Sequence, residues 1–477
     1  LQNKVRAPDR LVGPAPAVDE QETSLYEVRQ KIYARAVSGL FARWRIALVI
    51  ATQLVFYCSP WLTWNDRQAV LFDLVSRKFY IFGLVFWPQD FIFLTALLII
   101  SAYSLFLFTA VAGRLWCGYA CPQTVYTEMF MWIERKIEGD RVQRMRLDQS
   151  SLGARKIGLK TFKHGVWIAV ALWTGFTFVG YFTPIKTLAA SFSPWSLGPW
   201  ETFWIFFYGF ATYGNAGWMR EQVCKYMCPY ARFQSVMFDP DTLVITYDAN
   251  RGDPRGARGR KADPQAIGLG DCVDCNICVQ VCPTGIDIRK GLQYECIGCA
   301  ACIDGCDQVM DKMGYARGLI RYSTENALSG KYSEKDITKH VLRPRILIYT
   351  GLLVLVVVAF IGGLLLRSPL KVDVIRDRGA MMRDAGGGLI ENVYRLQFIN
   401  TDESTRRYSI NVSGLNGMQV VLRQSIEVPP ATTQVFPVSV RLDPGDLEAG
   451  SHAIVFHIVD LDRPNVRADE KSRFFVR

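Results

Sequence analysis

Apolar runs of membrane-crossing length, a doubled four-cysteine rhythm and a cysteine-free tail of alternating apolar and polar residues together predict the fold class. They describe a multi-pass α-helical membrane protein of about five spans, with an inserted two-cluster ferredoxin-like domain and a C-terminal immunoglobulin-like β-sandwich. Half of the 477 residues are apolar and mean hydropathy is positive, which is unusual for a soluble chain.

Residues 1–22 carry proline and acidic side chains without periodicity and read as a tail. "SLYEVRQKIYARAVSGLF" (24–41) has apolar residues at helical spacing with basic ones between, which predicts an amphipathic helix on the inner membrane face, within a first segment 1–45. The runs 46–64, 91–112, 166–183 and 346–366 are each long enough to cross about 30 Å of hydrocarbon as a helix. A fifth run, 202–218, is aromatic-rich and contains Asn215, so it is the weakest. The polar stretch before the first span speaks against a cleavable signal. "FYIFGLVFW" (79–87) is too short to cross and reads as a re-entrant or interfacial piece on the outer side.

Lysine and arginine set the orientation. Residues 1–45 hold eight of them and 113–163 hold ten, whereas 65–90 hold three and 184–200 only Lys186. That bias places the N-terminus in the cytoplasm, and five spans then send the residues after 367 outside. All 13 cysteines precede residue 307, in keeping with a reducing side for the thiols and an outer tail without disulfides. The net charge of +11 is carried largely by the inward-facing loops and reads as a topology signal, with no nucleic acid as partner.

The predicted domains follow: four helices with two cysteine–proline elements over 46–240, a cytoplasmic linker and cluster domain over 241–342, a fifth span over 343–367, and the sandwich over 368–477. The linker after "TLVITYDAN" carries Arg251, Arg255, Arg258, Arg260 and Lys261, which suit a solvated loop better than a docking face for an acidic donor. In the tail, "NVYRLQFIN", "YSINVSG", "TQVFPVSVRL", "HAIVFHIVD" and their neighbours predict six or seven short strands. His452 and His457 lie an odd number of residues apart, so they face opposite ways as ordinary strand residues.

The strongest chemical signal is "CVDCNICVQVCPTG" followed by "YECIGCAACIDGCD". Each run has the spacing C-x2-C-x2-C-x3-C, and 13 residues separate them, the pattern of a two-cluster ferredoxin in which the fourth cysteine of each run crosses over. This assigns Cys272, Cys275, Cys278 and Cys306 to one [4Fe-4S] cluster, and Cys282, Cys296, Cys299 and Cys302 to the other. Paired CxxC elements also bind zinc, but the doubled rhythm of eight cysteines speaks for iron–sulfur. Upstream, "RLWCGYACPQTVYTE" and "REQVCKYMCPYARFQ" each hold Cys-x-Tyr-x-Cys-Pro at the end of an apolar run. Cys117, Cys121, Cys224 and Cys228 are therefore candidate metal-binding and catalytic thiols, soft enough for Cu(I), zinc or iron–sulfur. Met129, Met131, Met219 and Met227 are nearby thioethers, and Cys58 reads as a packing residue.

These motifs, with "CIDGCDQVMDKMGYARGLIRYSTEN" and "WPQD", resemble the FixG/RdxA/CcoG family of membrane polyferredoxins over nearly the whole chain. Asp307, standing where the first run has a proline, is part of that pattern. The resemblance implies an accessory protein for assembling a cbb3-type cytochrome c oxidase in the bacterial inner membrane, with 368–477 periplasmic. It implies a reductase of Cu(II) to Cu(I), with oxidase subunits or copper chaperones as partners, a cytoplasmic electron donor of unstated identity, and copper as substrate or transient ligand. Two other readings remain open from the sequence: a quinol-linked respiratory relay, and a non-catalytic assembly scaffold. No haem-binding CxxCH occurs to support a relay through haem. The oligomeric state is not set by these patterns, and a homodimer stays open.

Overall fold

The computed structural model describes residues 31–192, 196–260, 262, 268–376, 382–422, 426–443, 445 and 447–476. Helices Leu40–Cys58, Phe91–Ala112, Ala154–Val179 and Pro344–Leu365 lie in four stretches long and apolar enough to cross a membrane. The weakest expected span is also helical: Pro199–Thr212 continues as a π-helix over Tyr213–Met219. It packs closely on helix 154–179, where a Cβ at Gly175 would collide with the Ile205 carbonyl. Small residues permit such close helix crossings inside a membrane.

The five runs alternate between two ends. At one end, Arg45 of the first helix reaches the Cys299 carbonyl and the 31–38 segment meets residues 141, 144 and 280. At the other, Gln68 donates to the Gly180 carbonyl at 2.7 Å, Lys78 donates to the Ala431 carbonyl at 2.8 Å, and Trp64, Asn65 and Arg67 all grip Glu403. The cysteine-rich domain and the tail domain thus sit at opposite ends of the helices.

Among the described residues, 370–476 form nine strands in two sheets, one with 419–421, 433–442, 390–400 and 370–376 in that order and 383–384 at its side, the other with 426–428, 406–413, 450–460 and 467–476. Alternate residues Tyr394, Leu396 and Phe398 meet Phe456 and Phe474 in a closed core, as a two-layer sandwich requires. Of the strands that the sequence did not single out, 383–384 and 426–428 are pieces of two and three residues, too short to show a period, while 370–376 is seven residues long and starts directly after the last span. His452 Nε2 donates to the Glu448 carbonyl at 2.9 Å, while His457 bridges Ser413 and Asp469 at 2.7 Å each. That line of three side chains lies on the open face of a fully laddered sheet.

Three expectations need correction. Residues 31–38 are not helical, because Tyr33 and Ala34 give their carbonyls to Arg141 and Arg144 and the Arg35 N–H bonds to the Gln280 carbonyl. The rest of the expected amphipathic helix lies outside the described residues. The 79–87 stretch is not re-entrant: strands 70–73, 78–81 and 84–86 form a meander, turned at Arg77 and Phe82 with positive φ, and Val85 and Trp87 pack on Ile399 of the sandwich. Cys58 is exposed rather than packed.

Asp90 ties the helices to the tail domain at their shared end. Its side chain, 3% exposed, receives Arg367 at 2.6 Å and Lys371 at 2.5 Å, pinning the last span and the first sandwich strand to the second helix. Removing one partner strands buried charge, so Asp90→Asn is expected to cost about 3 kcal/mol and to speed proteolysis between the last helix and the sandwich, read by limited trypsin digestion.

Candidate functional site

The two cysteine runs fold as matching turns. Asp274 and Asn276 in the first, and Gly298 and Ala300 in the second, take left-handed backbone with φ of 48°, 55°, 68° and 57°, which bends each loop around its own cysteines. Ala300 does so without glycine's freedom and with no exposed surface, strain that persists only where the surroundings dictate it. Helices Ile277–Gln280 and Ala301–Met313 begin directly afterwards. Cys272, Cys275, Cys278 and Cys306 line one cavity. Cys282, Cys296, Cys299 and Cys302 line a second, which Cys278 also borders. The last cysteine of each run therefore lies with the first three of the other.

Neither cavity is lined by a carboxylate or an imidazole. Burial pushes the Cys278 and Cys299 thiols up to about 11 and those of Cys296 and Cys306 up to about 12. Left alone, such thiols keep their protons at neutral pH, so a cationic guest is needed to hold them as thiolates. Four sulfurs per cavity without hard oxygen donors fit a [4Fe-4S] cube in each. Among the described residues no three His, Cys, Asp or Glu side chains converge as a single-ion site, which disfavours the zinc reading.

The cysteine–proline elements are junctions between helices. Cys117 sits in the short turn Leu115–Tyr119, and Cys121 precedes helix Pro122–Glu138. Cys224 lies in a π turn over Val223–Met227, and Cys228 precedes helix Pro229–Met237. Each proline is the first residue of its new helix, where its missing N–H costs nothing. The four thiols are near enough to feel one another: Cys117 and Cys224 are both raised to about 12, first by burial and then by the negative charge of neighbouring cysteines, Cys121 and Cys228 among them in both cases. They are not drawn to one point. Of the methionines, Met129 packs beside Phe130 and Trp167, Met131 borders a small cavity with Cys224, and Met227 is exposed.

Both junctions rest on the cluster domain. Cys117 and Cys224 pack against its core, and Gly118 lies so close to the second cysteine run that a Cβ there would stand 2.8 Å from the main chain of Gly298 and Cys299. Arg45 donates to the Cys299 carbonyl at 2.5 Å. Asp304, inside "CIDGCD", accepts the N–H groups of Phe41 at 3.2 Å and Ala42 at 2.7 Å, capping the first span from 262 residues away. Sequence reasoning missed Gly118, Arg45 and Asp304. A capping acid normally sits beside its own helix, so the sequence carried no local signal for this one. The linker arginines are not a free docking face: Arg251 pairs with Asp271 at 2.6 Å and Arg258 donates to the Gly270 carbonyl at 2.7 Å.

Comparison with known proteins matches residues 219–325 to a 4Fe-4S dicluster domain, 93–139 to a 4Fe-4S binding domain, and 360–477 to the Ig-like fold at the C-terminus of FixG. The chain is 41% identical to the nitrogen fixation protein FixG of Rhizobium meliloti, over 82% of this chain and 80% of that one. It is 40% identical to protein RdxA of Cereibacter sphaeroides, over 85% and 88%, and 40% identical to protein RdxB of the same organism, over 88% and 89%. A crystal structure of a FixG-related protein from Vibrio parahaemolyticus, 32% identical, covers 23% of this chain and 99% of its own, with a TM-score of 0.21.

Proposed function

Since the chain belongs to the FixG/RdxA family of iron–sulfur electron-transfer membrane proteins, we propose that it reduces Cu(II) to Cu(I) at Cys117, Cys121, Cys224 and Cys228, for assembly of a cbb3-type cytochrome c oxidase. The observation that carries this reading is the contact of Gly118 with the main chain of Gly298 and Cys299, which sets the thiol junction against the second cluster loop. Bound clusters supply single electrons, and one electron converts one Cu(II) to Cu(I). Thiolates prefer the softer Cu(I), so the same four side chains favour the product of the reduction. The lysine and arginine bias supports a cytoplasmic cluster domain and a periplasmic sandwich, with a copper chaperone or an oxidase subunit receiving the ion.

The test is anaerobic: reduce the purified protein, add Cu(II), and follow cluster reoxidation against Cu(I) formed. One Cu(I) per electron is expected in the wild type. Loss of two of the four soft ligands in Cys117→Ser/Cys228→Ser should slow the reaction at least about tenfold while cluster iron content stays level. An unchanged rate would remove the thiols from the reaction.

A further inference from the structure

A cavity of about 380 Å³ opens at the cluster-side end of the helices. His164, Trp167, Trp218, Glu134, Lys163 and Arg220 line it. His164 and Trp167 are the eleventh and fourteenth residues of helix 154–179, where its apolar run begins, and Trp218 lies near the end of the 199–219 run; tryptophans mark such boundaries between membrane and water. The imidazole is held on two sides. Tyr213 Oη stands 3.0 Å from His164 Nδ1, and Trp218 stacks on the ring with centroids 5.7 Å apart and planes at 18°. Tyr213 and Trp218 both belong to the π-helical stretch, a geometry rare in proteins and frequent at functional sites.

A chain of charges runs along the wall of this cavity, which Lys160 and Asp148 also line. Lys163 Nζ lies 3.5 Å from Glu134 and 2.9 Å from Glu138, and Lys160 lies 2.9 Å from Glu138 and 2.6 Å from Asp148. Glu134, Lys163 and Glu138 are buried, whereas Lys160 and Asp148 are 22% and 19% exposed. In the other direction, Arg220 and Glu221 line both this cavity and a neighbouring one of about 80 Å³, whose wall includes Cys224 and the cluster ligand Cys299. One wall of two residues therefore separates the His164 cavity from the thiols and the second cluster loop.

We propose that this cavity receives the head group of a lipid-soluble quinone, and that its hydroquinone form is the electron donor to the protein. An imidazole fixed for hydrogen bonding and aromatic faces for stacking are what such a head group requires. Oxidising one hydroquinone to quinone releases two electrons and two protons. The two electrons match two one-electron centres. The protons are taken up at His164 and leave along the Glu134–Lys163–Glu138–Lys160–Asp148 chain. The inference rests on the electron-transfer reading above, and not on copper being the acceptor.

The test uses the full chain in lipid nanodiscs, with decylubiquinone as the probe. Saturable quenching of tryptophan fluorescence is expected in the wild type. His164→Ala and Trp218→Ala should each raise the half-saturating concentration at least about tenfold, with the same shift in reoxidation of dithionite-reduced clusters by decylubiquinone. Reoxidation by Cu(II) should be unchanged in both variants. Quenching that rises linearly with quinone, variants without a shift, or quinone and copper reactions slowed together would overturn the proposal. Loss of the copper reaction in the wild type, with saturable quinone binding retained, would sink the proposed function and support this site.

Discussion

Gly118→Ala is expected to separate the thiol junction from the second cluster loop and to slow Cu(II)-dependent cluster reoxidation by about 100-fold. The cause is steric. The new Cβ would stand 2.8 Å from the Cα and N of Cys299 and from the carbonyl carbon of Gly298, and all three are backbone atoms that cannot swing aside. Gly298 is itself committed: its φ is +68°, its carbonyl accepts Tyr322 Oη at 2.8 Å, and it lies against the Arg114 backbone. The strain must then be relieved by moving the 115–119 turn outward. Electron transfer falls steeply with distance, so a displacement of an ångström or so shows in rate more than in stability, for which overpacking costs about 1–3 kcal/mol. Stopped-flow reoxidation of the reduced protein, with iron content measured alongside, reads the effect. A rate within twofold of wild type would mean that electrons do not cross at this contact.

Glu134→Gln should be the most destabilising single substitution in the helical domain, by about 3–5 kcal/mol. Glu134 is 1% exposed and meets Arg144 at 3.0 Å, Arg220 at 3.0 Å and Lys163 at 3.5 Å, themselves 4–10% exposed. Neutralising it leaves three buried cations with too little negative charge around them. Burial alone would push the Glu134 carboxyl up, but Arg220, Lys163 and Arg144 outweigh it and hold the group below its ordinary value of 4.5. Its contribution is therefore fully present above about pH 4.5 and is lost as pH falls through the lowered folded value. Thermal melting between pH 7 and pH 3 should show the wild type losing stability on the acid side, and Glu134→Gln starting lower and losing less. A variant that melts like the wild type at neutral pH would show that the cations find other partners.

The legibility of this protein in its sequence follows the range of the interactions involved. The sandwich was legible because alternation along a single strand, as in "NVYRLQFIN", reports burial directly. The cluster ligands were legible because a loop around a cube needs fixed short spacings, and those spacings also required the crossing of Cys282 and Cys306. The four long apolar helices stood out by composition, while 199–219 was faint because its π-helical end trades hydrophobicity for Tyr213, Asn215 and Trp218. The 79–87 stretch was legible only as a re-entrant or interfacial piece, because so short an apolar run has no period that identifies strands.

What the sequence determined by itself is therefore local chemistry and class: spans, two four-thiol cluster sites, a β tail and two cysteine–proline junctions. Only the tertiary structure decided what those parts touch. It set Gly118 against Cys299, made Asp304 the cap of a helix 262 residues earlier, gathered Glu134, Arg144, Lys163 and Arg220 into one buried group, and placed His164 in a cavity beside Trp218. Spacing along the chain encodes a turn or a ligand loop because a few bonds fix the geometry. Contacts between distant segments depend instead on how whole helices pack, and no short pattern of residues records that.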